Sequence, residues 1–191
     1  MSSIARDLLR RHRLTATEYR RMGEVGILRA DARVELIEGE IIDMTPTGSR
    51  HAGVVRHIAR LFERAIGDSA VVSIQSPVSL SDRSEPEPDI ALLSPRTDFY
   101  KSAHPRPADV LLIVEVADAS LRYDRQVKVP LYARHGVTEV WIVDLERNVL
   151  TQYRDPEGER YRTATSLAEL AAVELAALPG VRLDLRGVFR D

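Results

Sequence analysis

Apolar and polar positions alternate along this chain with three different rhythms. Two short apolar runs, Pro88-Asp89-Ile90-Ala91-Leu92-Leu93 and Leu111-Leu112-Ile113-Val114-Glu115-Val116, each carry a single carboxylate. Runs this short and this dense in Ile, Leu and Val predict strands covered on both faces of a sheet. Residues 139–145 and 149–154 predict two more strands, joined by a turn at Glu146-Arg147-Asn148. Residues 34–44 predict a hairpin that turns at Glu38-Gly39 and is ended by Pro46. Between residues 49 and 67 the period changes: Val54, Ile58, Leu61, Phe62, Ala65 and Ile66 recur at helical spacing. This predicts the longest helix, lying against the sheet.

The remaining segments are shorter. Thr15 and Glu18 have capping-box spacing, so a helix should run from there to about Glu24. Residues 2–13 predict a basic helical arm. Residues 71–75 and 78–80 read as strands around Pro77, and 81–87 as a polar, acidic loop. A Pro- and charge-rich loop follows Leu93 and reaches Asp109. A helix is expected over 123–135, with Gly136 as its stop and Pro130 kinking it or marking its entry. Asp155-Pro156-Glu157-Gly158 predicts a turn, 166–170 a short helix, and the residues after Leu178-Pro179-Gly180 a last strand-like run.

Length and composition narrow the class. A chain of 191 residues, 44% apolar and 29% charged, is expected to form one soluble domain over 1–191, with 1–14 as its basic arm. No apolar stretch is long enough to cross a bilayer. The start lacks a signal peptide's apolar core, so a cytoplasmic location is expected. There are no cysteines, which excludes disulfides, thiolate metal sites and cysteine nucleophiles. A net charge of -2 argues against a uniformly positive surface, though not against a local basic face. Among 27 basic residues only Lys101 and Lys128 are lysines.

That bias gives Lys128 weight. An apolar strand holds a carboxylate cheaply only if the group is paired, hydrogen-bonded or bound to a metal. Asp89 and Glu115 in neighbouring strands could hold Mg²⁺, which keeps several waters and needs one or two protein carboxylates. The plainer alternative is a pair of solvated or arginine-paired strand-edge acids. Lys128 falls in the helix after the Glu115 strand, which would return it over the sheet. Where charge alone is needed this chain uses arginine; an ammonium is a compact donor that can also give up its proton. A surface lysine paired with Asp124 one turn back is the plainer alternative here. Glu35 and Glu38 point to opposite faces of a strand, so at most one joins the acids, and Glu35 is the better candidate. His51 opens the long helix and could bond a phosphate or water, though a structural role is equally open. Trp141 and the nearby tyrosines are expected in the core or a dimer surface. No phosphate-binding glycine loop, nucleophile elbow or dinucleotide fingerprint is present.

These residues carry a resemblance. The stretches Val34-Glu35-Leu36-Ile37-Glu38-Gly39-Glu40, Ser49-Arg50-His51, Pro88-Asp89-Ile90 and Ile113-Val114-Glu115-Val116-Ala117-Asp118-Ala119-Ser120 resemble the Uma-two restriction-endonuclease family, a branch of the PD-(D/E)XK nucleases. Tyr123-Asp124-Arg125, Lys128, Leu131-Tyr132-Ala133, Gly136 and Trp141-Ile142-Val143-Asp144 continue it, so the likeness spans roughly residues 15–155. The resemblance implies an α/β (α+β) fold with a restriction-endonuclease-like core, a mixed β-sheet flanked by helices. It implies a Mg²⁺ site (Mn²⁺ as substitute) at Asp89, Glu115 and the Val116 carbonyl, aided by Glu35, with a lysine nearby. The general pattern places that lysine two residues after the second acid, where this chain has Ala117; Lys128 would fill the role.

The expected activity is metal-dependent hydrolysis of DNA phosphodiester bonds. Asp89, Glu115, Lys128 and Glu35 would form the catalytic set. Arg6, Arg10, Arg11 and Arg13 of the arm, Arg56 or Arg60, and His51 would contact nucleic acid. A homodimer is expected because a duplex has two strands, with no membrane partner and no organic cofactor. The rivals are a catalytically inactive nuclease-fold dimer serving as a nucleic-acid or protein interaction module, and a hydrolase of small phosphoesters.

Overall fold

The computed structural model describes residues 11–190. Its centre is a six-stranded mixed sheet in the order β3-β4-β5-β6-β7-β8. The strands are β3 (Val71–Ile74), β4 (Ile90–Leu93), β5 (Val110–Ala117), β6 (Glu139–Asp144), β7 (Val149–Glu157) and β8 (Arg160–Ser166). Only β5 and β6 run parallel; the other neighbours are antiparallel. A parallel pair needs a crossover, here a helical segment formed by Leu121–Tyr123, the π-helical Asp124–Lys128 and Val129–Arg134, together α3. Before the sheet come α1 (Ala16–Glu24), the hairpin β1 (Val34–Ile37) and β2 (Glu40–Asp43), and α2 (Ser49–Ile66). The chain closes with a small pair, β9 (Val173–Glu174) and β10 (Arg182–Leu183).

Strand alternation divides the core into two layers. Leu112, Val114 and Val116 face the layer built on Val54, Ile58 and Phe62 of α2. Ile113 and Ala117 face the layer built on Val129, Leu131 and Tyr132 of α3. Glu115 has the parity of Ile113 and Ala117, so its carboxylate is sent toward α3. The β4–β5 register pairs Ile90 with Val114; one residue further on, Asp89 lies beside Glu115.

Several local expectations hold. Thr15 and Glu18 form the reciprocal capping box, and the first hairpin turns at Glu38-Gly39, both with positive φ. A Cβ on Gly39 would lie 2.8 Å from Arg13 Cβ and 2.9 Å from the Leu14 carbonyl, so the turn and the entering chain both require glycine.

Others are corrected. Residues 78–80 form no strand, because their N–H groups bond the carbonyls of Pro86, Pro105 and Ser84 and not a neighbouring ladder. Residues 166–170 are not helical: Ser166 still pairs with Thr151, and Leu167 N–H donates to Leu150. The turn expected at 155–158 moves to Gly158-Glu159, since β7 runs on through Pro156, paired with Tyr161. Pro156 lies beyond the last β6 partner, Arg154, where a missing N–H leaves no ladder bond unmade. Pro130 sits in the first turn of the Val129–Arg134 segment and marks an entry. Of the basic arm, residues 11–15 have no helix, and the rest lies outside the described residues. No helix among the described residues is long and apolar enough to cross a membrane.

The C-terminal pair is tied to the sheet by Glu139. Fully buried, it accepts from Trp141 Nε1, Arg154 Nε and Ala176 N, each at 2.8 Å, while Arg154 Nη2 donates to the Glu174 carbonyl. Removing one partner of a buried pair strands the other. Glu139→Ala is therefore expected to lower unfolding free energy by about 3 kcal/mol, read from urea denaturation followed by Trp141 fluorescence. A loss below about 1 kcal/mol would show the staple to be a surface pair in energetic terms.

Candidate active site

Four segments meet over the end of β5. β5 supplies Glu115, and the residue before β4 supplies Asp89. β1 supplies Glu35, buried because alternation turns it inward, and α3 supplies Lys128. Lys128 Nζ stands 3.2 Å from Glu35 Oε2 and 3.2 Å from Glu115 Oε1. Both carboxylates and the ammonium are almost wholly buried, so this is an interior ion triad and not the surface i,i+4 pair. Asp124 and Lys128, one helical turn apart at the two ends of the π-helical stretch, both line the same cleft.

Two tyrosines hold the acids. Tyr132 Oη donates to Glu115 Oε1 at 2.6 Å, and Tyr123 Oη to Glu35 Oε1 at 3.1 Å. Glu35 Oε2 also accepts the Glu87 N–H at 3.1 Å. Asp89 is fixed separately: its Oδ2 accepts the Val116 N–H at 2.9 Å and lies 3.1 Å from His51 Nε2, while Gln75 donates to Oδ1 at 3.3 Å. In a strand the N–H and C=O of one residue point the same way, so the Val116 carbonyl faces Asp89 too. Glu35, His51, Asp89, Glu115, Tyr123 and Lys128 line a cleft of about 260 Å³, with Arg33, Glu87, Asp118, Ser120 and Asp124 also in its wall.

Burial and charge separate the acids. Burial pushes Glu115 up to about 8 in spite of Lys128. It likewise pushes Asp124 up to about 6, against Lys128 and the Ser120 hydroxyl. For Asp89, burial pulls upward but the His51 hydrogen bond and charge and the Val116 N–H prevail, leaving it below the usual carboxylate range. The same contact raises His51, against the effect of burial. Burial alone would lower Lys128; Glu115, Glu35, Asp124 and Asp89 overcome it and hold the ammonium well above its ordinary value. Lys128 is thus a fixed cation and donor, not a proton acceptor.

The structure brings Asp89, Glu115, Lys128, Glu35, Val116 and His51 to one place. Glu38 turns away to Arg134. Arg11 and Arg13 are committed to the hairpin, both pairing with Glu40. Arg56 and Arg60 lie on the exposed face of α2, away from the cleft lining. Arg6 and Arg10 fall outside the described residues. Sequence reasoning gave no site role to Tyr123, Tyr132, Glu87 or Asp124; Tyr132 lies in the core as expected, and its hydroxyl reaches Glu115 from there.

An oxygen-ligand divalent ion is consistent with part of this set. Among the described residues no three His, Asp or Glu side chains converge as a protein-only cage. Two adjacent carboxylates and a carbonyl instead match the few-ligand habit of Mg²⁺, which retains waters and takes phosphate oxygens. Glu115 Oε1 takes both the Tyr132 and the Lys128 contacts, which leaves Oε2 for the cleft.

The chain superposes on a crystal structure described as a putative nuclease belonging to DUF820 from Anabaena variabilis ATCC 29413, with a TM-score of 0.72 over 92% of this chain and 97% of that one, at 16% identity. That likeness establishes the fold. Residues 16–186 match the family model Uma2, described as "Putative restriction endonuclease", and the chain belongs to this family. No curated protein matches it.

The pKa pattern sets a stability test in EDTA. Glu115 binds a proton more readily folded, at about 8, than at its ordinary 4.5, so raising pH across that window favours the unfolded chain. Asp124 acts in the same sense between 3.8 and about 6. Stability should fall as pH rises through these windows, and Glu115→Gln should flatten the upper part of the fall. Denaturant titrations at a series of pH values would show this; an equally steep decline in the variant would remove Glu115 as its source.

Proposed function

We propose that the protein is a metal-dependent endonuclease of the PD-(D/E)XK type that hydrolyses DNA phosphodiester bonds. The observation that carries this reading is Lys128 Nζ at 3.2 Å from Glu115, itself the register neighbour of Asp89. The helix-borne lysine thereby occupies the neighbourhood that Ala117 cannot serve. Asp89, Glu115 and the Val116 carbonyl would hold Mg²⁺ or Mn²⁺. Such an ion supplies neutralisation of phosphate charge and a more acidic water.

The chain's own groups supply orientation. The Val116 N–H, His51 and Gln75 fix the Asp89 carboxylate, and Tyr132 fixes Glu115. Lys128 has three donors, and its ion pairs with Glu35 and Glu115 leave at least one for the cleft it lines. That donor would orient the attacking water and stabilise charge building on the phosphoryl oxygens. Water oxygen would bond to phosphorus as the bond to the leaving sugar oxygen breaks; the attacking water gives up one proton to solvent, and the leaving oxygen takes one up from solvent. Glu35 keeps Lys128 charged and aimed. The enzyme would work in the cytoplasm as a homodimer, one 1–191 domain per strand of the duplex.

Calorimetry with Mn²⁺ and cleavage of plasmid DNA test this directly. Asp89→Ala is expected to lose ion binding and to lower cleavage by a factor on the order of 10³ while keeping a native circular-dichroism spectrum. Lys128→Met should retain ion binding and lose cleavage. Intact protein that binds no divalent ion and cuts no DNA would instead identify an interaction module of the same fold. Ion binding with turnover of small phosphoesters alone would point to the third reading.

A further inference from the structure

Beside the acid cleft, two arginines from separate elements flank one buried carboxylate, and a third reaches the adjoining turn. Asp144 ends β6 and, by the β5–β6 register, sits next to Ala117, two residues past Glu115. Its Oδ1 accepts the N–H groups of Glu146 and Arg147 at 3.1 and 3.0 Å, which shapes the β6–β7 turn. Its Oδ2 is buried and has no hydrogen-bond partner. Arg125 Nη2 and Arg147 Nη1 flank that oxygen at 3.9 and 3.8 Å. Arg50, immediately before His51, donates to Asn148 Oδ1 at 3.0 Å and so leans over the same turn.

The distances separate this cluster from the chain's structural ion pairs. Arg154 meets Glu139 at 2.7 Å, and Arg186 meets Asp184 at 2.6 Å, with N–H groups spent on the carboxylate. Around Asp144 the guanidiniums are held by charge but stand outside hydrogen-bond distance, and Arg125 Nε is buried with no partner. The outer N–H groups of Arg125 and Arg147, whose side chains are partly exposed, are not spent on the carboxylate, which limits where the charges can go. With Arg50 on Asn148, three guanidiniums stand by a turn that carries Asp144 and the exposed Glu146, a positive balance beside an acidic cleft. Arg50 also borders a neighbouring groove that includes His57 and Arg190, which extends the positive surface away from the cleft. Forked, fixed guanidinium donors suit phosphate oxygens better than any other common ligand.

We propose that Arg125 and Arg147, gathered on Asp144, together with Arg50 form a clamp for backbone phosphates of the DNA strand entering the acid cleft. The inference rests on the nuclease reading. Arg125 follows Asp124 of the cleft wall and Asp144 pairs with Ala117, so the clamp borders the cleft. Contacts of this kind position the duplex and carry no sequence information.

Anisotropy of a short labelled duplex, titrated with the full chain in Ca²⁺ at increasing KCl, tests the clamp. Arg125→Ala and Arg147→Ala are each expected to weaken binding severalfold at low salt and to reduce the slope of log affinity against log salt by about 1. Arg125→Lys should restore the slope, because it returns the charge. Arg186→Ala, a remote surface pair, should match the wild type. Wild-type binding with unchanged slopes in the alanine variants would overturn the clamp alone. A loss of thermal stability with the slope intact would do the same, by assigning the arginines to the turn. A wild-type chain with no salt-dependent affinity for DNA would overturn both the clamp and the nuclease reading.

Discussion

Lys128 is the constraint around which the site is built. An ammonium removed from water costs several kcal/mol unless close acidic groups repay it, and here Glu35 and Glu115 stand at equal distance. Those carboxyl groups come from the first hairpin and the central strand, so the triad joins three elements far apart in the chain. Loss of the lysine would leave two carboxylates in an apolar interior with one tyrosine each. The triad thus locks the hairpin and α3 onto the sheet while holding a cation at the cleft.

The same triad explains why the acids differ. Asp89 is held by a histidine and a main-chain N–H and stays ionised; Glu115, deeper, is driven up by desolvation in spite of Lys128. Adjacent groups pushed in opposite directions are a common mark of a site arranged for chemistry. A divalent ion would relieve the crowding of carboxylates that burial imposes. The arginines on Asp144 show the complementary arrangement, with a buried anion setting the place of cations that face outward.

Much of the fold was legible because its pattern is periodic. The apolar runs of β4, β5 and β6, the helical stripe of α2, the capping box at Thr15 and the Glu38-Gly39 turn each follow from local rules. The failures have local causes as well. Residues 78–80 have strand composition, yet their N–H groups find loop carbonyls that no periodicity reveals. Ser166 and Leu167 continue β8, an almost wholly exposed strand on Thr151 and Leu150 of β7 that no apolar run announces.

The sequence by itself marked the candidates: two acids in apolar strands, Lys128 as one of two lysines in an arginine-rich chain, and Glu35, preferred to Glu38 because the turn does not explain it. Those follow from side-chain type, turn chemistry and a period of two. Only the tertiary structure decided how they meet. The antiparallel register sets Asp89 beside Glu115, the crossover helix brings Lys128 against Glu35 and Glu115, and Tyr123 and Tyr132 become supports of acids. Such pairings depend on contacts between residues tens of positions apart, and local periodicity does not encode them.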